Sequence, residues 1–215
     1  MRKISAGNYD LNTWLHGGYE NDIVTVIYGG SGTGKTNFCL MAAVSQAKKG
    51  NKVVFVDTEG GFSVERVKQL VEEGNGKSSS KKGEEKKLSY DEVLKNIFLL
   101  KPVNFTEQKK AFAELLKYLG GEVSLVVVDG MTILYRLDFA DAREKDEVEM
   151  QKINAELVRQ IKTLAEIARK REIPVLVTNQ IYRWEDVDKM VGGDILKYWS
   201  KCHIEIVNDK GKRDA

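Results

Sequence analysis

GGSGTGKT, Gly29 to Thr36, closes one apolar run, Ile23-Val24-Thr25-Val26-Ile27-Tyr28, and opens a helical one, Thr36-Asn37-Phe38-Cys39-Leu40-Met41-Ala42-Ala43. The octapeptide fits G-x-x-x-x-G-K-[ST], the Walker A or P-loop form, and a strand–loop–helix setting is what that motif needs. Its glycines let the backbone curl until successive N–H groups converge on an anion, while the helix N-terminus adds its positive end. In that geometry Lys35 reaches the β- and γ-phosphates of a nucleotide, and the Thr36 hydroxyl is offered to magnesium. Gly29, Gly30, Ser31, Gly32, Thr33, Gly34, Lys35, Thr36 and Asn37 therefore form the candidate nucleotide-binding run, with ATP and Mg2+ as its expected ligands. A Gly-rich turn that binds nothing is the competing reading, and the flanking strand and helix argue against it.

Working outward, further apolar runs recur at Val53–Val56, Ile97–Leu100, Leu125–Val128 and Val175–Thr178. Continuous β-branched runs suit strands buried on both faces of a parallel sheet. Helical patterns fill the gaps, over Ser63–Glu73, over Thr106–Leu119 with Gly120-Gly121 as a stop, and over Glu147–Arg171. In the last of these Ile153, Leu157, Ile161, Leu164 and Ala168 form one stripe, read as core packing, with a partner-binding face as the alternative. Pro174 marks the connection into the fifth strand. The fold class predicted is α/β, a mainly parallel twisted sheet flanked by helices.

Composition agrees with one domain. The chain has 215 residues, 42% hydrophobic and 31% charged, with a net charge of +2. That charge is too small to imply nucleic-acid binding unless basic residues cluster locally. No apolar run approaches bilayer length, and Met1-Arg2-Lys3-Ile4-Ser5-Ala6-Gly7 lacks the apolar centre of a signal peptide. Cys39 and Cys202 stand far apart without metal spacing, as reduced thiols of a cytoplasmic protein would. Two segments break the pattern. Gly74–Lys87 (GNGKSSSKKGEEKK) reads as a mobile polar loop, solubilising or phosphate-touching. At the end, His203–Val207 reads as a sixth strand and Asn208–Lys212 as a hairpin turn, with almost no chain left for a return strand.

Three strand ends carry further chemistry. Phe55-Val56-Asp57-Thr58-Glu59-Gly60 brings Glu59 to the end of the second strand, where it can polarise a water for attack on a γ-phosphate. Alternatively, Asp57 and Glu59 only cap the following turn. Leu125-Val126-Val127-Val128-Asp129 has the Walker B form, in which the carboxylate holds Mg2+ directly or through water. Val175-Leu176-Val177-Thr178-Asn179-Gln180 ends in amides that can hydrogen-bond a γ-phosphate or merely form a turn.

The order GGSGTGKT, VDTEGGFSVERV, LVVVDGMTILYRLD, VTNQ resembles the core of the RecA-type recombinases, in their archaeal and eukaryotic branch and closest there to the archaeal RadB paralogues. It covers about Ile4 to Val207. The resemblance implies a single RecA-like ATPase core domain over residues 1–215. It implies Lys35 and Thr36 on phosphate and magnesium, Asp129 supporting the metal, Glu59 activating water, Arg66 against the adenine and Gln180 sensing the γ-phosphate. It also sets two DNA loops near Leu137–Glu149 and Ile181–Gly193. The N-terminal DNA-binding domain and the aromatic polymerisation linker of full recombinases have no counterpart, as in RadB proteins. A long filament is therefore not expected, and turnover should be slow. Gly130 replaces the serine that most relatives carry after the Walker B aspartate, which removes a hydroxyl near the metal.

The first DNA loop is acidic: Asp138, Asp141, Glu144, Asp146, Glu147 and Glu149 face only Arg143 and Lys145. Such a segment repels phosphate. The second carries Tyr182, Arg183, Trp184 and Lys189 among Glu185, Asp186 and Asp188. Its aromatics either stack on unpaired bases or pack against protein. The resemblance implies an ATP-binding accessory protein of recombination and repair, with weak ATPase, modest single-stranded DNA binding, and the main recombinase or other repair proteins as partners. A KaiC-like ATPase or autokinase, and a nucleotide-gated interaction module, are the rivals.

Overall fold

The structure, a computed structural model, describes residues 2–76, 88–143, 147–184, 187–209 and 212–214. In chain order its elements are β1 (Lys3–Ile4), α1 (Tyr9–Trp14), β2 (Tyr19–Glu20), β3 (Val24–Gly29), α2 (Lys35–Ala47), β4 (Lys52–Asp57) and α3 (Val64–Gly76). There follow α4 (Tyr90–Leu94), β5 (Ile97–Leu100), α5 (Phe105–Tyr118), β6 (Val123–Asp129), α6 (Ile133–Arg143) and α7 (Glu147–Arg171). The chain ends with β7 (Val175–Trp184), β8 (Val187–Met190), α8 (Gly193–Trp199), β9 (Cys202–Asp209) and β10 (Lys212–Asp214).

Six strands run parallel in the order β9-β3-β7-β6-β4-β5. Each apolar run read from the sequence is one of them. Val54, Val56, Val126, Val128, Val175 and Val177 lie in one core, under α5, α6, α7 and α8. Val53, Phe55, Leu125, Val127 and Leu176 lie in the other, under α1, α2, α3 and α4. All eleven are fully buried. Burial on both faces is why these strands are unbroken apolar runs instead of alternating ones. The α7 stripe is core: Ile153, Leu157, Ile161, Leu164 and Ala168 are all buried.

Several boundaries differ from the sequence reading. Gly74–Gly76 continue α3, and the rest of the predicted polar loop, 77–87, lies outside the described residues. The first predicted DNA loop is helix wherever it is described, 137–143 in α6 and 147–149 in α7. Leu134 and Ala142 on α6 enter the core, which holds the acidic segment helical. The third motif strand does not end at its amides. β7 runs on to Trp184 because β8 pairs with it antiparallel, so the second predicted DNA loop is largely a hairpin, with 185 and 186 outside the described residues. Finally, β10 supplies a three-residue antiparallel return strand for β9.

The parallel register sets the site. Gly29 pairs with Gln180 and Asp57 with Asp129, all at the C-terminal ends of the parallel ladders.

Candidate nucleotide and metal site

Gly32 and Gly34 have φ of 72° and 100°, so the P-loop curls through left-handed backbone that glycine adopts freely. Gly34 is also the N-cap of α2, with no side chain capping it; the Asn37 N–H bonds the Gly34 carbonyl, and the Lys35 and Thr36 N–H groups are left to an anion. Gly29 answers to packing: a Cβ there would stand 2.3 Å from the Ile206 carbonyl oxygen of β9. Lys35 is 6% exposed, and its Nζ donates to the Gly29 and Gly30 carbonyls at 3.1 and 2.7 Å. Burial pushes its pKa down, opposed by the charges of Glu59 and Asp129. Ser31 is exposed at the loop tip, and Thr33 braces the loop by donating to the Gly30 carbonyl.

Asn37 and Arg66 meet beside this loop, Arg66 Nε donating to Asn37 Oδ1 at 2.9 Å. Gln69 and Glu73 hold the other side of the guanidinium.

Asp129 is 1% exposed and accepts two hydroxyl bonds, from Thr36 Oγ1 at 2.8 Å and Thr178 Oγ1 at 2.6 Å. Burial pushes its carboxyl up to about 6 despite those bonds, and the charges of Glu59 and Asp57 add to the rise. A buried carboxylate beside a hydroxyl is a hard oxygen donor set short of positive charge. Gly61 keeps space beside it, since a Cβ there would come within 3.0 to 3.3 Å of Thr36 and Asp129 Oδ2. Asp129 and Thr36 thus fit a small divalent cation such as Mg2+.

The two acidic residues of the second strand end separate. Asp57 caps the turn, accepting from the Gly61 and Phe62 N–H groups at 3.0 and 3.1 Å. Glu59 does not; it faces Gln180, whose Nε2 donates to both carboxylate oxygens at 3.2 and 3.3 Å. Gly130, with φ of 87°, passes directly beneath: a Cβ would lie 2.4 Å from Thr58 Oγ1 and 2.6 Å from Glu59 Cγ. One hydroxyl, that of Thr58, crowds the place of a residue-130 side chain, and a second, that of Thr178, meets the Gly130 backbone. Thr58 Oγ1 donates to the Asp129 and Gly130 carbonyls, and Thr178 Oγ1 accepts from the Gly130 N–H.

Sequence reasoning missed Thr58, Thr178 and Gly61. It also missed the structural work of Asn179, which accepts from Thr132 and donates to the Val191 carbonyl. Thr58 and Thr178 sit inside quoted motifs, next to residues that were singled out, so adjacency was the available signal. Tyr182 is 39% exposed and stands clear of the core, while the Trp184 side chain lies outside what is described.

The Rad51 family model matches residues 1–215, the whole chain. The chain belongs to the Rad51 family. It is 35% identical over 205 residues to the DNA repair and recombination protein RadB of Methanocaldococcus jannaschii, covering 95% of this chain and 87% of that protein. With the RadB of Methanobrevibacter smithii it shares 36% over 207 residues, 93% and 79% of the two chains. The RecA-type core with RadB as its near relative, expected from the motifs, is thus what the Rad51-family match and the six parallel strands give. Among the described residues no helix is long and apolar enough to cross a membrane.

Proposed function

We propose that the protein is a cytoplasmic, ATP- and Mg2+-binding accessory factor of homologous recombination and DNA repair, with slow ATP hydrolysis and modest affinity for single-stranded DNA. The observation that carries this reading is the contact of Glu59 with Gln180 beside the Lys35–Thr36–Asp129 group. Similarity to proteins named for DNA repair and recombination supports the pathway.

The residues divide the work. The P-loop N–H groups and Lys35 bind and orient the phosphates, and Asn37 and Arg66 border the adenine side. Thr36 and Asp129 would hold Mg2+, which would supply charge neutralisation at the phosphates. Glu59 accepts the proton of the attacking water. While Gln180 Nε2 rests on Glu59, the base is restrained, which keeps basal turnover low. A γ-phosphate that takes over the Gln180 amide frees Glu59 and tugs on β7, whose continuation is the hairpin over 181–190. Asp138 and Asp141 on α6 oppose phosphate, so DNA contact stays weak and salt-sensitive, and work alongside the main recombinase becomes the principal role.

Glu59→Gln tests this. Hydrolysis at fixed salt should fall about 100-fold, the scale of a lost general base, while ATP affinity is kept. A variant hydrolysing at the parent rate, with or without single-stranded DNA, would remove Glu59 from that role.

A further inference from the structure

Gln108 on α5 and Gln160 on α7 are 0% and 2% exposed, inside the apolar core beneath α5, α6 and α7. Gln108 Nε2 donates to the Met131 carbonyl at 3.2 Å and to Gln160 Oε1 at 2.8 Å. Gln160 Nε2 donates onward to Glu156 Oε1 at 3.0 Å. Gln108 Oε1 is buried and has no hydrogen-bond partner. Two leucines would fill this space and remove the unpartnered Gln108 oxygen, leaving only the Met131 carbonyl without its donor, so packing alone does not explain amides here.

Their target does. Met131 lies two residues beyond Asp129, and its N–H donates to the carbonyl of Thr178, whose hydroxyl holds Asp129. The turn Asp129-Gly130-Met131 is therefore gripped from the sheet by Thr178 and from the helices by Gln108. Its tolerance is small, because Gly130 runs under Glu59 with no room for a Cβ. We infer that Gln108 and Gln160 are positioning residues: their paired amides hold the turn so that Asp129 meets Thr36 while Gly130 clears Glu59. Through Glu156, which also pairs with Arg159 on the outer face of α7, the relay ties that surface to the metal ligand. The inference rests on the Mg2+–ATP reading of the site.

The test is Gln108→Leu/Gln160→Leu, followed by hydrogen exchange without nucleotide and by Mg2+ titration of ATP binding. The melting temperature should fall by no more than a few degrees, since both amides leave together and only the Met131 carbonyl loses a donor. Exchange at the amides of residues 130–133 should quicken about tenfold as the turn loosens. The Mg2+ concentration for half-maximal ATP binding should rise about tenfold, as for a lost outer-shell partner, with binding in EDTA unchanged. Parent-like exchange together with parent-like Mg2+ dependence would overturn the inference. Should the parent protein itself not bind ATP, the site reading fails, and the exchange comparison alone still decides the positioning role. If the double variant does not fold, Gln160→Leu is put through the same two measurements, with quickened exchange supporting the positioning role and parent-like behaviour in both overturning it.

Discussion

Asp129→Asn is expected to melt several degrees above the parent protein at pH 7.5 and to lose its response to Mg2+. The reason is the carboxylate's burial, which lifts its folded-state pKa from 3.8 to about 6. That rise corresponds to about 3 kcal/mol. The folded chain holds the Asp129 proton more tightly than the unfolded chain does. Its stability is therefore full below pH 4 and falls as pH climbs from about 4 to 6. Asparagine keeps an acceptor and adds a donor for the hydroxyls of Thr36 and Thr178 while carrying no charge. Thermal melts in EDTA should show the variant's advantage at pH 7.5 and none near pH 4. Adding Mg2+ to the ATP-bound proteins should raise the parent's melting temperature further and leave the variant's where it was. A variant less stable than the parent at pH 7.5 would contradict the account of this carboxylate.

Gly130→Val should be severe. A β-branched residue at φ of 87° is strained, and its Cβ would lie within 3.0 Å of Thr58 Oγ1, Glu59 Cγ and Glu59 Oε1. Left-handed strain and overpacking together come to about 3 to 5 kcal/mol. Relief requires Thr58 and Glu59 to move, so ATP hydrolysis should be lost along with stability. Gly120→Val is the control, since Gly120 has no positive φ and a Cβ there meets nothing nearer than 3.8 Å. Urea unfolding should separate the two by more than about 2 kcal/mol. Equal midpoints would mean that residue 130 has more room than its neighbours leave it.

Gly130 also illustrates how far the sequence carries. That residue 130 has no side chain is visible in the sequence; that Thr58 crowds the position, and that Thr178 reaches Asp129 from another strand, is not. Those contacts join residues 72 and 49 positions apart, and a strand register with no local pattern decides them. The P-loop was legible because its geometry is local, with glycine, lysine and threonine doing their work within eight residues. The strands were legible because burial on both faces leaves unbroken apolar runs. Helix α6 was hidden because the resemblance set a loop over Leu137–Glu149, and its two buried anchors, Leu134 and Ala142, are too few to show a helical stripe. The return strand β10 has three residues, too few for any periodicity to register. The sequence offered Glu59 as a catalytic base, or Asp57 and Glu59 together as caps; the turn takes Asp57 and leaves Glu59 to Gln180.

On the proposed reading, Gly29–Thr36 holds the phosphates of ATP with Mg2+ at Thr36 and Asp129. Calorimetric titration of Mg2+–ATP into the parent protein and into Lys35→Ala tests it most directly. The parent should bind saturably, and the variant should bind about 10- to 100-fold more weakly, the loss expected for charge-assisted bonds from one ammonium. Equal affinities in the two proteins would contradict the claim.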